Sequence, residues 1–274
     1  MKEFSIVTSV YKNDKQEFVC VALDSMLVNQ TVKPSEIVLV EDGPVPKRLD
    51  VLIKEYETQY PSVMNVIRLE KNGGLGNALR LGVEKAKYDI VARMDSDDIC
   101  LLNRFELQLK YLEKNPDVDI VGGQMTEFID TPDNIVGQRV VPLIHEDIYA
   151  YMKGRCGLNH VTVMFRKEAV LKAGNYQDWF WNEDYYLWIR MMLAGCKFGN
   201  VAEALVNVRS GRDQYARRGG WKYFKSEEGI QRYMLNHHLI NWGGYFVNVA
   251  KRLIVQLLLP NSIRGWVFRT FARK

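Results

Sequence analysis

Met94-Asp95-Ser96-Asp97-Asp98 sets three carboxylates within four positions, directly after the short apolar run Tyr88 to Met94. Ile90, Val91 and Ala92 make that run read as a strand. Carboxylates this close raise each other's pKa unless a cation intervenes. A divalent metal is the economical explanation. Hard oxygen ligands at a strand end suit Mg²⁺ or Mn²⁺, which also take oxygens from a bound phosphate. Taken alone, so short a motif also reads as a solvated acidic loop capping a helix before Leu101, so the surrounding elements must decide.

Those elements alternate. Phe4 to Val10 predicts a first strand, and Lys15 to Asn29 an amphipathic helix with Phe18, Val19, Ala22, Leu23, Met26 and Leu27 at helical spacing. A second strand, Glu36 to Val40, ends in Glu41-Asp42-Gly43-Pro44. A helix over about 47–60 stops at Pro61. A strand near 63–69 and a helix opening at Asn72-Gly73-Gly74-Leu75-Gly76 and running to about Lys85 complete the series. Strict strand–helix alternation predicts a parallel sheet with right-handed crossovers, whose ligands sit beyond the strand carboxyl ends. Thr8, Asp42 and the acids of 95–98 all fall at such ends and should share one crevice. The glycine cluster is neither a dinucleotide fingerprint nor a P-loop. It either presents N–H groups to a phosphate at a helix start or simply turns the chain.

Beyond the acids, Arg104 to Glu113 predicts a helix ended by Asn115-Pro116, and 119–129 and 135–141 two strands around the turn Thr131 to Asn134. Asn159 to Arg166 reads as an extended run rejoining the sheet. Trp179-Phe180-Trp181-Asn182-Glu183-Asp184 opens a helix through about Ala194, and 197–208 reads as a final strand pair. His160 has no cysteine or second histidine at ligand spacing, so it reads as a packing or hydrogen-bonding residue.

The composition is that of a globular protein of 274 residues, 47% hydrophobic and 26% charged. Four widely spaced cysteines give neither a zinc site nor a disulfide framework. No secretory signal and no run near the ~20 residues of a membrane span is visible, which predicts a cytoplasmic chain or one attached to a membrane without crossing it. The net charge of +4 is unevenly placed: residues 1–208 carry 24 Lys/Arg against 30 Asp/Glu, residues 209–274 carry 13 against 3. A basic, aromatic end predicts an anionic partner there.

Together these stretches resemble the family-2 nucleotide-sugar glycosyltransferases with the GT-A fold, in particular bacterial enzymes of exopolysaccharide, capsule and O-antigen synthesis of the amylovoran type. The resemblance rests on Ser5 to Tyr11, Val40-Glu41-Asp42-Gly43, Asn72-Gly73-Gly74, Met94 to Asp98, Gly174-Asn175-Tyr176 and Glu183-Asp184 with Leu187-Trp188, in that order. It implies an α/β, Rossmann-like, mainly parallel sheet flanked by helices over residues 1–210, with a helical extension over 211–274. It also implies roles. Thr8 and Asp42 would hold the nucleotide base, with Gly74 on the donor side, Asp95 would face the ribose, and Asp97 would ligate Mn²⁺ or Mg²⁺ on the diphosphate. Asp98 is left undecided. Glu183 and Asp184 would stand on the acceptor side, Asp184 as general base. The reaction would invert configuration, moving a sugar from a nucleotide diphosphate, UDP by family habit, to a hydroxyl of a polyprenyl-diphosphate-linked or other glycan acceptor.

Plainer readings stand beside these. Asp42 can merely form a turn with Gly43, Asp184 can favour a helix dipole, and Trp179, Phe180 and Trp181 can be core. Arg217 and Arg218, followed by Gly219-Gly220, are expected to close over a diphosphate or to form a solvated loop. The aromatics and cations from Trp242 to Phe271 predict an anchor on the inner, anionic face of the membrane or a helical pair packed on the domain. Nucleic acid is not the expected partner. A binding module without catalysis and a nucleotidyltransferase are the rivals; the chain lacks the basic glycine-rich loop the latter needs after its first strand.

Overall fold

A computed structural model describes residues 2–211 and 219–259. Its first half builds the expected alternation: β1 (Ser5–Val10), α1 (Gln16–Leu27), β2 (Glu36–Glu41), α2 (Lys47–Gln59), β3 (Met64–Arg68), α3 (Leu75–Lys85) and β4 (Ile90–Arg93). Every residue of β2 and β4 is buried. Such strands are apolar in continuous runs rather than alternation because helices cover both sheet faces. The second half adds β5 (Ile99–Cys100), α4 (Arg104–Lys114), β6 (Ile120–Phe128), β7 (Ile135–Arg139), α5 (His145–Met152), β8 (Met164–Arg166), α6 (Lys167–Lys172), α7 (Glu183–Leu193) and β9 (Phe198–Arg209). Two helices follow, α8 (Trp221–Asn236) and α9 (Trp242–Leu253), the second continued by a π-helical turn at Ile254–Leu258.

The strands form one sheet in the order β3-β2-β1-β4-β8-β6-β9-β5, with β7 on β6. β1 to β4 are mutually parallel, β6 and β9 are parallel, and β5, β7 and β8 run against their neighbours. One apolar cluster packs α1, α2 and α4 on one face, and another packs α3, α5, α7 and α8 on the other. Register then fixes the site. Val10 pairs with Glu41 and Val7 with Arg93, so the chains leaving β1, β2 and β4 emerge along one edge.

Two expected elements differ. The stretch 197–208 is a single strand, not a pair. Its register against β6 steps from Gly122↔Asn200 to Gln124↔Ala204, so four residues of β9 span two of β6. Exposed Ala202 and Glu203 bulge out there and give the look of a turn. Asn159 to Arg166 joins the sheet only from Met164. His160–Thr162 is a 3₁₀ turn because Thr162 Oγ1 donates to Asn159 O at 2.8 Å, an alternative to the ladder.

The C-terminal helices are anchored by specific bonds. Trp179 Nε1 donates to Ser226 O at 3.0 Å, Ser226 Oγ to Phe180 O at 2.6 Å and Asn182 Nδ2 to Ser226 Oγ at 3.0 Å. Arg252 Nε meets Glu227 at 2.5 Å, each side chain 11% exposed, and joins α9 to α8. Among the described residues no helix is long and apolar enough to cross a membrane.

Candidate active site

The acidic motif leaves β4 and its three carboxylates part company. Asp95 accepts from Arg93 Nη2 at 2.5 Å. Asp98 turns inward and is 4% exposed. Its Oδ1 accepts from Arg209 N at 2.8 Å, while Arg209 Nε donates to Asp97 O at 3.1 Å. Asp98 thereby latches the motif to the end of β9. Burial, then the charges of Asp95 and Asp97, hold its carboxyl well above the usual range.

Asp97 is open to solvent. Protein crowding around it, then the Asp95 and Asp14 charges, still push its carboxyl up to about 6. A fourth acid joins from the loop after β1, where Asp14 Oδ2 accepts from Ser96 Oγ and Tyr11 N, both at 3.0 Å. Arg93 offsets only part of the charge of these carboxylates, and their ligand atoms are all hard oxygens, which fits Mg²⁺ or Mn²⁺. Among the described residues no three His, Cys, Asp or Glu side chains converge as a complete metal cage. The protein would therefore offer Asp97 and leave the other positions to phosphate and water, the usual habit of Mg²⁺.

Asp42 clamps the glycine loop. Its Oδ1 accepts from Gly73 N at 2.6 Å, and its Oδ2 from Asn72 Nδ2 at 2.8 Å and Gly74 N at 3.0 Å. Three donors on a carboxylate with about four acceptor sites leave one for a ligand. Gly43 makes this possible. Its φ is +84°, and a Cβ there would lie 2.5 Å from Asn72 N. Gly74, at φ +88°, starts α3. Thr8 is 1% exposed and its Oγ1 has no hydrogen-bond partner among the described residues. A buried hydroxyl left this way is costly unless something else completes it.

Glu183 and Asp184 occupy the first turn of α7, where the helix dipole favours negative charge. The turn before them is tightly held by α8, and Trp181 takes φ +56°, a region rarely adopted by bulky residues. Burial, then the Asp184 charge, push Glu183 up to about 7. Asp184 Oδ1 accepts from Tyr185 N at 2.7 Å. Its Oδ2 lies 3.9 Å from His160 Nδ1. Burial, then Arg93, hold His160 well below its usual pKa, so the imidazole is neutral and this contact is not an ion pair. His160 Nε2 meets Tyr176 OH at 2.9 Å.

Arg93 links the two halves. It is 2% exposed, bonded to Asp95, and burial acting against its charge is outweighed by Asp95, Tyr176 and Asp184 around it. The structure thus brings Asp95, Glu183 and Asp184 into one electrostatic neighbourhood, with Asp97 beside Asp95. Asp42 directly follows β2, Thr8 lies in the last half of β1 and Gly74 opens α3. Arg217 and Arg218 fall outside the described residues. Sequence reasoning missed Asp14 and Arg93. The signal for Arg93 was present, as an arginine inside a strand of otherwise buried residues almost always has a partner. Asp14 carried only a weak one, an acid in the loop after the first strand.

Residues 5–179 match a family model described as Glycosyl transferase family 2. The chain is 40% identical over 232 residues to the amylovoran biosynthesis glycosyltransferase AmsE of Erwinia amylovora, covering 85% of each protein. It is 35% identical over 272 residues to the UDP-Gal:alpha-D-GlcNAc-diphosphoundecaprenol beta-1,3-galactosyltransferase of Escherichia coli, covering 99% of this chain and 97% of that one. Among solved structures, GalNAc-T7 with UDP, GalNAc and Mn²⁺ superimposes with a TM-score of 0.68 at 16% identity, over 97% of this chain and 54% of the other.

Proposed function

The chain belongs to glycosyl transferase family 2 and has the GT-A fold, and from that premise we propose an inverting, metal-dependent transfer of a sugar from a nucleotide diphosphate, UDP by preference, to an acceptor hydroxyl. The acceptor is a polyprenyl-diphosphate-linked or other glycan of cell-surface polysaccharide assembly. Relatives named for amylovoran synthesis and for a diphosphoundecaprenol substrate support that class.

The observation that carries the reading is Arg93. One buried guanidinium is bonded to Asp95 and feels Asp184, which supports a donor side and an acceptor side facing each other across it. On the donor side Thr8 and Asp42 hold the base, Asp42 with its remaining acceptor position, Gly74 borders them at the start of α3, and Asp95 faces the ribose. Asp97 ligates Mn²⁺ or Mg²⁺. When bound, the cation supplies Lewis-acid stabilisation of charge on the diphosphate. Arg217 and Arg218 are assigned to the same charge.

On the acceptor side Asp184 takes the proton from the hydroxyl as its oxygen attacks the anomeric carbon. Attack on the face opposite the departing diphosphate inverts configuration, and one base suffices, unlike the two carboxylates of a retaining glycosidase. Neutral His160 stands 3.9 Å from Asp184 and leaves its charge uncompensated by an ion pair there. Glu183, up near 7, is part protonated at neutral pH and donates to the acceptor.

Attachment to the inner membrane face is part of the proposal. α9 buries none of its residues fully. Trp242, Phe246, Val247, Leu253, Ile254 and Leu258 are all exposed, with Lys251 also exposed nearby, a combination suited to an anionic interface.

The test is nucleotide release with Asp184→Asn and Asp97→Asn, alongside donor affinity by calorimetry. Asp184→Asn should lower kcat about 10²- to 10⁴-fold with donor affinity within about twofold. Asp97→Asn should remove the metal dependence of donor binding. Full turnover by Asp184→Asn would remove Asp184 as the base, and donor binding with no turnover in the unsubstituted protein would leave only a binding module.

A further inference from the structure

The turn that delivers Glu183 and Asp184 to α7 breaks a local rule. Asn182 N donates to Trp179 O at 2.9 Å, which closes a turn and puts Trp181 at its third position. There φ is +56°, in a place that glycine or asparagine ordinarily fills. A bulky side chain in that region carries strain, and such strain persists only where the surroundings enforce it. Here they are one residue of α8. Ser226 accepts hydrogen bonds from the Trp179 ring and the Asn182 side chain, and donates one to Phe180 O. The turn is thus tied down on both sides of Trp181.

Burial does not offset that strain, since the ring is 52% exposed. Phe180 stacks on one face of the indole, with 4.6 Å between ring centres and 19° between planes. Lys222 Nζ stands 4.0 Å from the centre of the Phe180 ring. The Tyr223 ring lies 6.2 Å from the indole at an angle of 52°. Phe180 takes one indole face and leaves the other for a ligand. Trp181, Tyr223 and Asp184 all line one cavity of about 490 Å³. A tryptophan held in a strained conformation, backed by a second ring and sharing a cavity with the base, has the make-up of a binding platform. The negative face of an indole attracts the C–H bonds of a pyranose. A nucleobase would stack there too, but Thr8 and Asp42, which are assigned to the base, do not line this cavity.

We propose that Trp181 is the specificity-determining residue of the acceptor side: the reacting sugar lies with one C–H face on the indole while its hydroxyl meets Asp184. The inference rests on Asp184 being the base. It adds to the acceptor class what is read, which is the sugar ring itself and not its carrier. A pyranose with equatorial hydroxyls presents an unbroken C–H face, and an axial hydroxyl on that face interrupts it. The reaction therefore extends an acceptor whose last sugar came from an earlier transfer. A bare lipid phosphate, with no ring for the platform, is not used.

The test is saturation-transfer NMR on the full chain with saturating UDP and Mg²⁺, so that the donor side is filled. Methyl glycosides of glucose, galactose, mannose and N-acetylglucosamine, at about 10 mM to suit the weak affinity of a single sugar, are compared with sorbitol, which has hydroxyls and no ring. At least one glycoside should be saturated, more strongly on the protons of one ring face than of the other, and sorbitol should not. Trp181→Ala should weaken that glycoside about tenfold or more and leave UDP affinity within about twofold, while Trp181→Phe should keep most of the binding. Trp181→Gly controls for folding, because it relieves the positive φ. Its melting temperature should stay within about 3 °C of the unsubstituted protein, with glycoside binding lost as in Trp181→Ala. Equal saturation of both ring faces, no saturation of any glycoside, or undiminished binding by Trp181→Ala would each overturn the proposal. So would a melting temperature of Trp181→Gly far below that range, which would make the ring part of the core. Turnover that Asp184→Asn removes and Trp181→Ala leaves untouched would keep the transfer and overturn the platform. Glycoside binding that depends on Trp181, in a protein that releases no nucleotide from any UDP-sugar, would uphold the platform and discard the transfer.

Discussion

Replacing Glu183 with Gln should make the protein more stable above neutral pH, although the substitution lies in the proposed catalytic turn. The carboxyl stands at about 7 rather than 4.5, first because burial disfavours its charge and then because Asp184 adjoins it. A carboxyl raised on folding binds more protons in the native than in the unfolded chain between those two values. Stability is therefore fully present below about 4.5, is lost as pH rises through 7, and changes no further beyond it. The whole displacement corresponds to about 3 kcal/mol at ~1.4 kcal/mol per unit. Partial solvent access reduces the expected gain to about 1–2 kcal/mol. Glutamine keeps the shape and removes the charge. Urea denaturation at pH 4.5 and pH 8 should give curves within about 0.5 kcal/mol of wild type at the lower pH and the full gain at the higher one, or about 2–4 °C per kcal/mol in a thermal scan. A difference that does not vary with pH, or a loss of stability at pH 8, would refute the argument that burial of charge at α7 is the cause.

Other consequences follow from single contacts. Asp42→Ala removes the acceptor of three donors on the glycine loop and should cost about 2–4 kcal/mol, with amide exchange at Gly73 and Gly74 accelerated in native-state hydrogen exchange. Asp98→Ala leaves Arg209 N without its acceptor and should cost about 1–3 kcal/mol while donor affinity keeps its metal dependence; loss of that dependence would make Asp98 a ligand. Glu227→Ala leaves the half-buried Arg252 without its carboxylate partner and should lower stability by about 2–4 kcal/mol in denaturant titration. The double change Trp242→Ser and Phe246→Ser, on a surface already exposed, should leave the melting temperature unchanged and abolish flotation with anionic liposomes; unaltered flotation would remove α9 as the anchor.

Much of this architecture was legible in order and spacing. Ile37 to Val40 and Ile90 to Ala92 are continuous apolar runs because both faces of their strands are covered, and a run of that length bounded by Pro34 or by acids admits few other readings. The acidic motif, Asp42 and Glu183-Asp184 were likewise visible as chemistry placed where strands end and helices begin. The bulge in β9 was not, because Ala202 and Glu203 look like a turn until β6 is laid beside them. The 3₁₀ turn at His160 depends on the Thr162 hydroxyl reaching Asn159 O, a choice that a β-branched residue does not announce.

What the chain itself determined is the family, the sheet of parallel crossovers and the set of carboxylates at its edge, since these follow from local periodicity and residue type. What only folding decided is how those carboxylates divide. Asp98 is spent on Arg209, Asp42 on the glycine loop and Asp95 on Arg93, which leaves Asp97 as the outward acid of its motif. It also decided that α8 holds the turn before Asp184 and that Lys251 lines a cavity with Arg139 and Arg155. Apart from the local Asp95–Arg93 pair, the hydrogen bonds behind these outcomes join residues more than 30 apart in sequence, and proximity of that kind exists only once the sheet has closed.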